Sequence, residues 1–263
     1  MPTPPPTGPL VTRTSLTSDL RSLGVQPADT LLVHTSLSSL GWVNGGPATV
    51  VRALLDALCT EGTLVVPTQS ADVSDPAEWS RPPVPAAWWE TIRATMPPYD
   101  PAITPTRGVG VVPETVRTWP GAMRSAHPQT SFAALGPRAA EVTEGHAVDC
   151  RLGERSPLAR LEEMHARVLL LGAGYEACTA FHLAEYRVPT GYEDAGRPGR
   201  HGWEHVREVA IDSDRFDDLG AAFEAANPVA RGRVGAAESR LFGVAEAVAY
   251  AEKWLPAHRP DGG

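Results

Sequence analysis

The stretch Val168-Leu-Leu-Leu-Gly-Ala-Gly-Tyr-Glu-Ala-Cys-Thr-Ala-Phe-His-Leu-Ala-Glu-Tyr-Arg187 packs three kinds of structure into twenty residues. Four consecutive apolar residues bounded by glycine read as a short buried strand. Gly172-Ala-Gly174 breaks it. Thr179 to Arg187 then carries apolar residues at helical spacing. An apolar strand that gives way through a loop to a helix is the repeating unit of an α/β fold.

The same alternation extends outward in both directions. Ser15 to Leu23 predicts a helix, with Leu16, Leu20 and Leu23 on one face and Gly24 as its stop. Leu31-Leu-Val33 predicts a strand. Pro47 opens a second helix whose Val50, Val51, Leu54, Leu55 and Leu58 form a stripe closed by Gly62. Leu64-Val-Val66 is the next strand, ended by Pro67. Asp72 to Arg107 is rich in proline and tryptophan and reads as a long loop region with one short helix near Trp88 to Met96; loops of this length in compact domains carry function or move. Val111 to Trp119, Leu158 to Met164, Phe216 to Ala226 and Val244 to Trp254 predict helices, His205 to Ile211 a strand, and Arg231-Gly-Arg-Val-Gly235 a turn. The expectation is one α/β domain over residues 14–256, with a flexible lead over 1–13 and a flexible tail over 257–263.

Composition bounds the function. The chain has 263 residues, 42% hydrophobic and 21% charged, an ordinary globular balance. No apolar run nears the roughly 20 residues of a membrane span, and the proline-rich start shows no secretion signal. Three cysteines, Cys59, Cys150 and Cys178, have no metal-ligand spacing, which points to a reducing compartment, the cytoplasm, and to no metal. The net charge of −8 disfavours nucleic acid as a partner and favours a cationic one.

Within the opening stretch, His182 and Glu185 are three apart, so both side chains share one helix face. A carboxylate beside an imidazole fixes its tautomer and raises its basicity, as a general base requires. Thr179, one turn earlier, lies on the same face. The competing reading is a surface ion pair with a helix-entry threonine. Cys178 offers a nucleophile four residues from His182, against the simpler role of a small buried residue. His34-Thr-Ser-Leu-Ser-Ser-Leu-Gly-Trp-Val-Asn-Gly-Gly-Pro47 joins a strand end to a helix start through hydroxyls and glycines, where free backbone N–H groups suit an anion. It is neither a dinucleotide nor a nucleoside-triphosphate motif. Pro105-Thr-Arg-Gly-Val-Gly110 adds an arginine for phosphate. His127 is a second candidate acid or base, or a turn histidine held by Pro128.

Several stretches, in this order along the chain, resemble the aminoglycoside 3-N-acetyltransferases: His34 to Gly41 with Gly45-Gly-Pro47, Glu61 to Ser70, Arg107 to Thr115, Arg124 to Phe132, Leu169 to Gly174 and Thr179 to Tyr186. The resemblance runs from about Thr14 to about Trp254. It implies a three-layer α/β/α fold with a central mixed sheet, distinct from the GNAT acetyltransferases, whose pyrophosphate loop Arg240-Leu-Phe-Gly-Val-Ala245 matches only by chance. It implies acetyl transfer from acetyl-CoA to the 3-amine of 2-deoxystreptamine, hence antibiotic resistance. His182 is then the general base, Glu185 its orienting partner and Thr179 a nearby hydrogen-bonding group. His34, Thr35, Ser36, Leu37, Thr68, Ile103, Pro105, Thr106, Arg107, Gly108, Gly110 and Val112 are expected to line the CoA channel. Thr35 stands where serine is usual in the family, and Gln69 where an aromatic is common. A polycationic substrate calls for acidic contacts, with Asp72, Asp149 and Glu224 as candidates and Trp79 as a stacking face. Transfer to another small amine, or a non-catalytic binding protein, are the alternatives. The expected assembly is a monomer or homodimer.

Overall fold

The structure, a computed structural model, describes residues 8–80, 82–199 and 202–259. Its centre is a seven-stranded mixed sheet built from β1 (Thr30–Thr35), β2 (Thr63–Pro67), β3 (Met123–Arg124), β4 (Phe132–Leu135), β5 (Arg167–Leu171), β8 (Ala230–Val234) and β9 (Ala237–Gly243). The order across the sheet is β3-β4-β2-β1-β5-β9-β8. The central strands β2, β1 and β5 run parallel, and the flanking strands pair antiparallel.

Central strands apolar on both faces require cover on both sides. Alternate residues supply two separate cores. Leu31, Val33, Leu169 and Leu171 face α1 (Arg13–Leu23), α2 (Gly46–Leu58) and α4 (Val111–Arg117). Leu32, Val168 and Leu170 face α5 (Ala139–Thr143), α6 (Pro157–Glu163), α7 (Phe181–Arg187), α8 (Phe216–Ala226) and α9 (Val244–His258). The result is the expected α/β/α sandwich. Phe181, Phe216 and Phe223 are fully buried in the second core, each contributing about 2–3 kcal/mol.

A separate antiparallel hairpin, β6 (Tyr192–Gly199) with β7 (Gly202–Val209), stands outside the sheet. It anchors the long loop over 72–107, which contains the short α3 (Trp89–Thr95). Asp75 pairs with Arg93 at 2.7 Å, the Asp75 N–H donates to the Gly196 carbonyl, and the Trp203 indole donates to the Arg93 carbonyl.

Several elements differ from expectation: β3, β4, α5, β6 and β9 are not among the predicted elements, and α7 begins at Phe181 rather than Thr179. Arg231-Gly-Arg-Val-Gly235 is mostly the edge strand β8, with only Gly235 in the turn. Arg231 and Arg233 point outward and Val234 inward, and Arg231 pairs with Glu224 at 2.9 Å and with Glu238. Gly232 fits because Leu23 of α1 packs against it; a Cβ there would meet the Leu23 side chain at 3.2 Å. The hairpin strand expected over His205 to Ile211 begins and ends earlier, as β7. Helix α9 runs through Pro256 to His258, so Ala257 and His258 are helical; residues 260–263 of the expected tail and 1–7 of the expected lead lie outside the described residues. Arg240, Leu241 and Phe242 lie within the paired strand β9, which runs through Gly243 into α9.

Candidate active site

The parallel strands β2, β1 and β5 end together at Pro67, Thr35 and Leu171. The carboxyl ends of such strands form the crevice where open α/β sheets bind ligands. His34 stands two residues beyond Leu32, so its side chain points to the same face of the sheet, the one covered by α7. Just past β5, Gly172 adopts φ +68°, and a Cβ there would lie 2.9 Å from Ala237 Cβ and from Ser39 Cβ. Only glycine turns this tightly. The turn folds the segment over 172–180 back across the strand ends, and Thr179 Oγ1 comes to 3.3 Å from His34 Nε2.

On α7 the i,i+3 spacing does what it predicts: His182 Nδ1 and Glu185 Oε2 are hydrogen-bonded. A carboxylate can only accept, so Nδ1 carries a proton, and in the neutral ring it is Nε2 that has the free lone pair. No hydrogen bond engages Nε2 among the described residues. Glu185 is buried, and its second oxygen accepts from the Asp212 backbone N–H at 2.9 Å and from Arg259 Nη1. The Phe216 ring packs 4.8 Å from the imidazole. Nearby, burial and the proximity of His182 push the His34 imidazole down to about 3, so it is neutral at physiological pH.

Two cavities meet at His182. The larger cleft, about 650 Å³, lies between the 72–107 loop and the sheet ends. A narrower channel of about 260 Å³ is lined by His34, Thr35, Gly108, Thr179 and His182, and continues into a groove of about 370 Å³ along Ser36, Leu37, Gly110 and Val112. Thr35 and Gly108 line both channel and groove, while Gln69, His182 and Ser213 line both channel and cleft. The three spaces are therefore continuous.

Most of the other expected site residues lie outside the space expected for them. Thr68 is fully buried, its hydroxyl 3.1 Å from that of Ser131 and 3.2 Å from Arg124 Nε; its backbone continues the β2 pairing and turns the side chain inward. Ile103, Pro105 and Thr106 line none of the three spaces; Ile103 is exposed and the Thr106 N–H is held by Glu114. Arg107 borders the larger cleft, 3.4 Å from Asp72, and not the channel. Asp72 and Trp79 do line the cleft. Asp149 pairs with Arg155 at 2.8 Å, and Glu224 with Arg231 and Arg240, both away from it. Cys178 is fully buried and its thiol is pushed up to about 12, which leaves no thiolate to act as nucleophile. His127 is fully buried too. Its Nδ1 accepts from the Gln129 and Thr130 N–H groups, and burial holds its pKa well below the usual range. It holds a turn.

Sequence reasoning missed Glu78, Gln129, Arg151 and Ser213 as cleft residues. Burial pushes the Glu78 carboxyl up, and the charge of Asp75 adds to the effect. These residues sit in loops without helix or strand period; the one available signal for Glu78 was its place beside Trp79. Among the described residues, no cluster of His, Cys, Asp and Glu could hold a metal ion.

The model of the aminoglycoside 3-N-acetyltransferase family matches residues 32–256. The SPbeta prophage-derived aminoglycoside N(3')-acetyltransferase-like protein YokD of Bacillus subtilis is 45% identical over 252 residues, spanning 93% of this chain and 92% of its own. The crystal structure of YokD superimposes with a TM-score of 0.93 at 43% identity and covers 96% of each chain. Aminoglycoside N(3)-acetyltransferase VIII of Streptomyces fradiae is 40% identical over 269 residues, spanning 93% of this chain and 92% of its own. A structure of AAC-IIIb in binary complex with CoASH matches with a TM-score of 0.81 at 32% identity, covering 97% of this chain and 100% of that one. The chain thus belongs to the aminoglycoside 3-N-acetyltransferase family, a family of acyltransferases.

Proposed function

We propose that this chain transfers an acetyl group from acetyl-CoA to the 3-amino group of a 2-deoxystreptamine aminoglycoside, in a ternary complex, and so confers resistance. The observation that carries this reading is His182, whose ring borders both the cleft and the channel while its Nδ1 is committed to Glu185.

Acetyl-CoA would occupy the channel and groove. The fit is supported by Gly108 and Gly110, where an added Cβ would meet nothing within 4 Å, so the backbone leaves room for a ligand. The aminoglycoside would enter the cleft. An ammonium has no free lone pair, so a proton must leave before attack. One proton of the substrate nitrogen goes to water and another to His182 Nε2. The nitrogen lone pair forms the new C–N bond at the thioester carbonyl, the C–S bond breaks with its electrons on sulfur, and the imidazolium returns its proton to the CoA thiolate. No acetyl-enzyme is needed, and the inert Cys178 agrees with that. The neutral His34 places no competing cation beside the thioester. The reaction would run in the cytoplasm; among the described residues no helix is long and apolar enough to cross a membrane.

One observation favours a second reading, transfer to a different amine. The cleft's Asp72 and Glu78 are matched by Arg107 and Arg151 along the same walls, so its lining is less acidic than a polycation would prefer. A panel of aminoglycosides and simpler amines, read by thiol release from acetyl-CoA, separates the two. His182→Ala should lose turnover and retain CoA binding; full activity in that variant would sink both.

A further inference from the structure

We infer that Arg259 is a positioning residue for the His182–Glu185 pair. Glu185 uses its two oxygens differently: Oε2 accepts from His182 Nδ1, while Oε1 accepts from Arg259 Nη1 and from the Asp212 N–H at 2.9 Å. Arg259 Nη2 also donates to the Asp212 carbonyl, so one guanidinium clamps both the carboxylate and the backbone that helps hold it. The Arg259 side chain is only 10% exposed and its guanidinium lies 6.0 Å from the Phe216 ring centre, the same ring that packs on His182. Its backbone is tied to α9, since the Arg259 N–H donates to the Leu255 carbonyl at 2.9 Å.

The physical reasoning is short. A carboxylate held at one oxygen rotates about its last torsion, which is soft. Held at both, it is fixed, and so is the imidazole that donates to it. A buried carboxylate also needs a partner for its charge. Among the described residues, Arg259 is the one arginine or lysine paired with Glu185. On the packed helices, Glu252 is engaged with Arg187, Asp218 with Arg215 and Asp217 with the Glu176 N–H. Arg259 lies three residues beyond the last residue matched by the family model, so the family pattern does not include it.

The inference rests on His182 being the base, and its test is therefore chosen to need no substrate. In proton NMR of the free protein at low temperature, the Nδ1–H of His182 should give a far-downfield signal, assigned by its loss in His182→Asn. Arg259→Met should broaden that signal away, and Arg259→Lys should keep it. An unchanged signal in Arg259→Met overturns the inference. In turnover, Arg259→Met should lower kcat about ten- to hundredfold with the KM for acetyl-CoA unchanged, and lysine should restore most of the loss. A rise in KM alone also overturns it. Turnover that survives His182→Ala would instead refute the base assignment and leave the NMR result standing.

Discussion

Thr179 Oγ1 lies 3.3 Å from His34 Nε2, across 145 residues of sequence. The contact ties the loop ahead of α7 to the carboxyl end of β1, and both side chains are buried on the wall of the channel. The Thr179 hydroxyl therefore pairs not with His182, three residues on, but with the strand beside it; toward His182 only the Thr179 backbone carbonyl reaches, accepting from the His182 N–H at 3.1 Å.

Thr179→Val keeps the shape and removes the hydroxyl. It leaves a buried His34 nitrogen without a partner and frees the loop that presents His182. We expect kcat to fall at least about tenfold, with KM for either substrate changed less than about threefold. Steady-state kinetics decide it; an unaltered kcat refutes the role.

Glu185→Gln is nearly isosteric, but its amide nitrogen must face either Arg259 or His182, both donors. The negative charge that stabilises the imidazolium is also gone. The expected loss in kcat is about a hundredfold or more, with CoA affinity by calorimetry unchanged.

Gly220 in α8 tests two opposing magnitudes. Replacing a helical glycine by alanine gains about 1 kcal/mol from propensity alone. Here the new Cβ would sit 1.9 Å from Tyr175 Cγ. Tyr175 cannot step aside, because its ring packs on Phe181 and Phe242 and its hydroxyl bonds Glu224 at 3.2 Å. Overpacking costs up to about 3 kcal/mol, so Gly220→Ala should be net destabilising by about 1–2 kcal/mol in urea unfolding. A stabilised variant would contradict the packing described.

Three buried histidines make stability depend on pH. His34 is pushed down to about 3 and His146 to about 4, both mainly by burial, and His127 lies well below its usual range for the same reason. The unfolded chain protonates each near 6.5, so it binds protons that the folded state refuses. Their contribution to stability is complete above about 6.5 and is lost as pH falls toward about 4 and then about 3. Melting temperature should drop steadily from about pH 7 to about pH 5. A flat profile over that window would show that these rings are not buried neutral.

The legible parts of the sequence were those with local rules. His182 and Glu185 were found because helical spacing makes residues three apart neighbours, and the central strands because they are short apolar runs. What escaped depends on distance along the chain. Asp212 and Arg259 reach Glu185 from 27 and 74 residues away, and no periodicity marks them. Strand β8 reads as a turn because Gly232 and two arginines look like loop composition; its pairing with β9 and the close approach of Leu23 explain them. The resemblance places Thr68 in the channel, yet Thr68 continues the strand pairing for one more residue and faces inward.

The hairpin β6–β7 and the loop it carries have a consequence for how this protein can change. Pro82 and Val84 line the cleft from that loop, outside the sheet, while His182, Glu185 and Thr179 are carried by β5 and α7. The outer wall of the cleft and the frame that holds the His182–Glu185 pair are thus separate pieces of architecture, and Asp75, Arg93 and Gly196 tie the loop to the hairpin rather than to that frame. Under the proposed function, recognition of a new amine can be rewritten in the first piece while the proposed base and its partners in the second stay as they are.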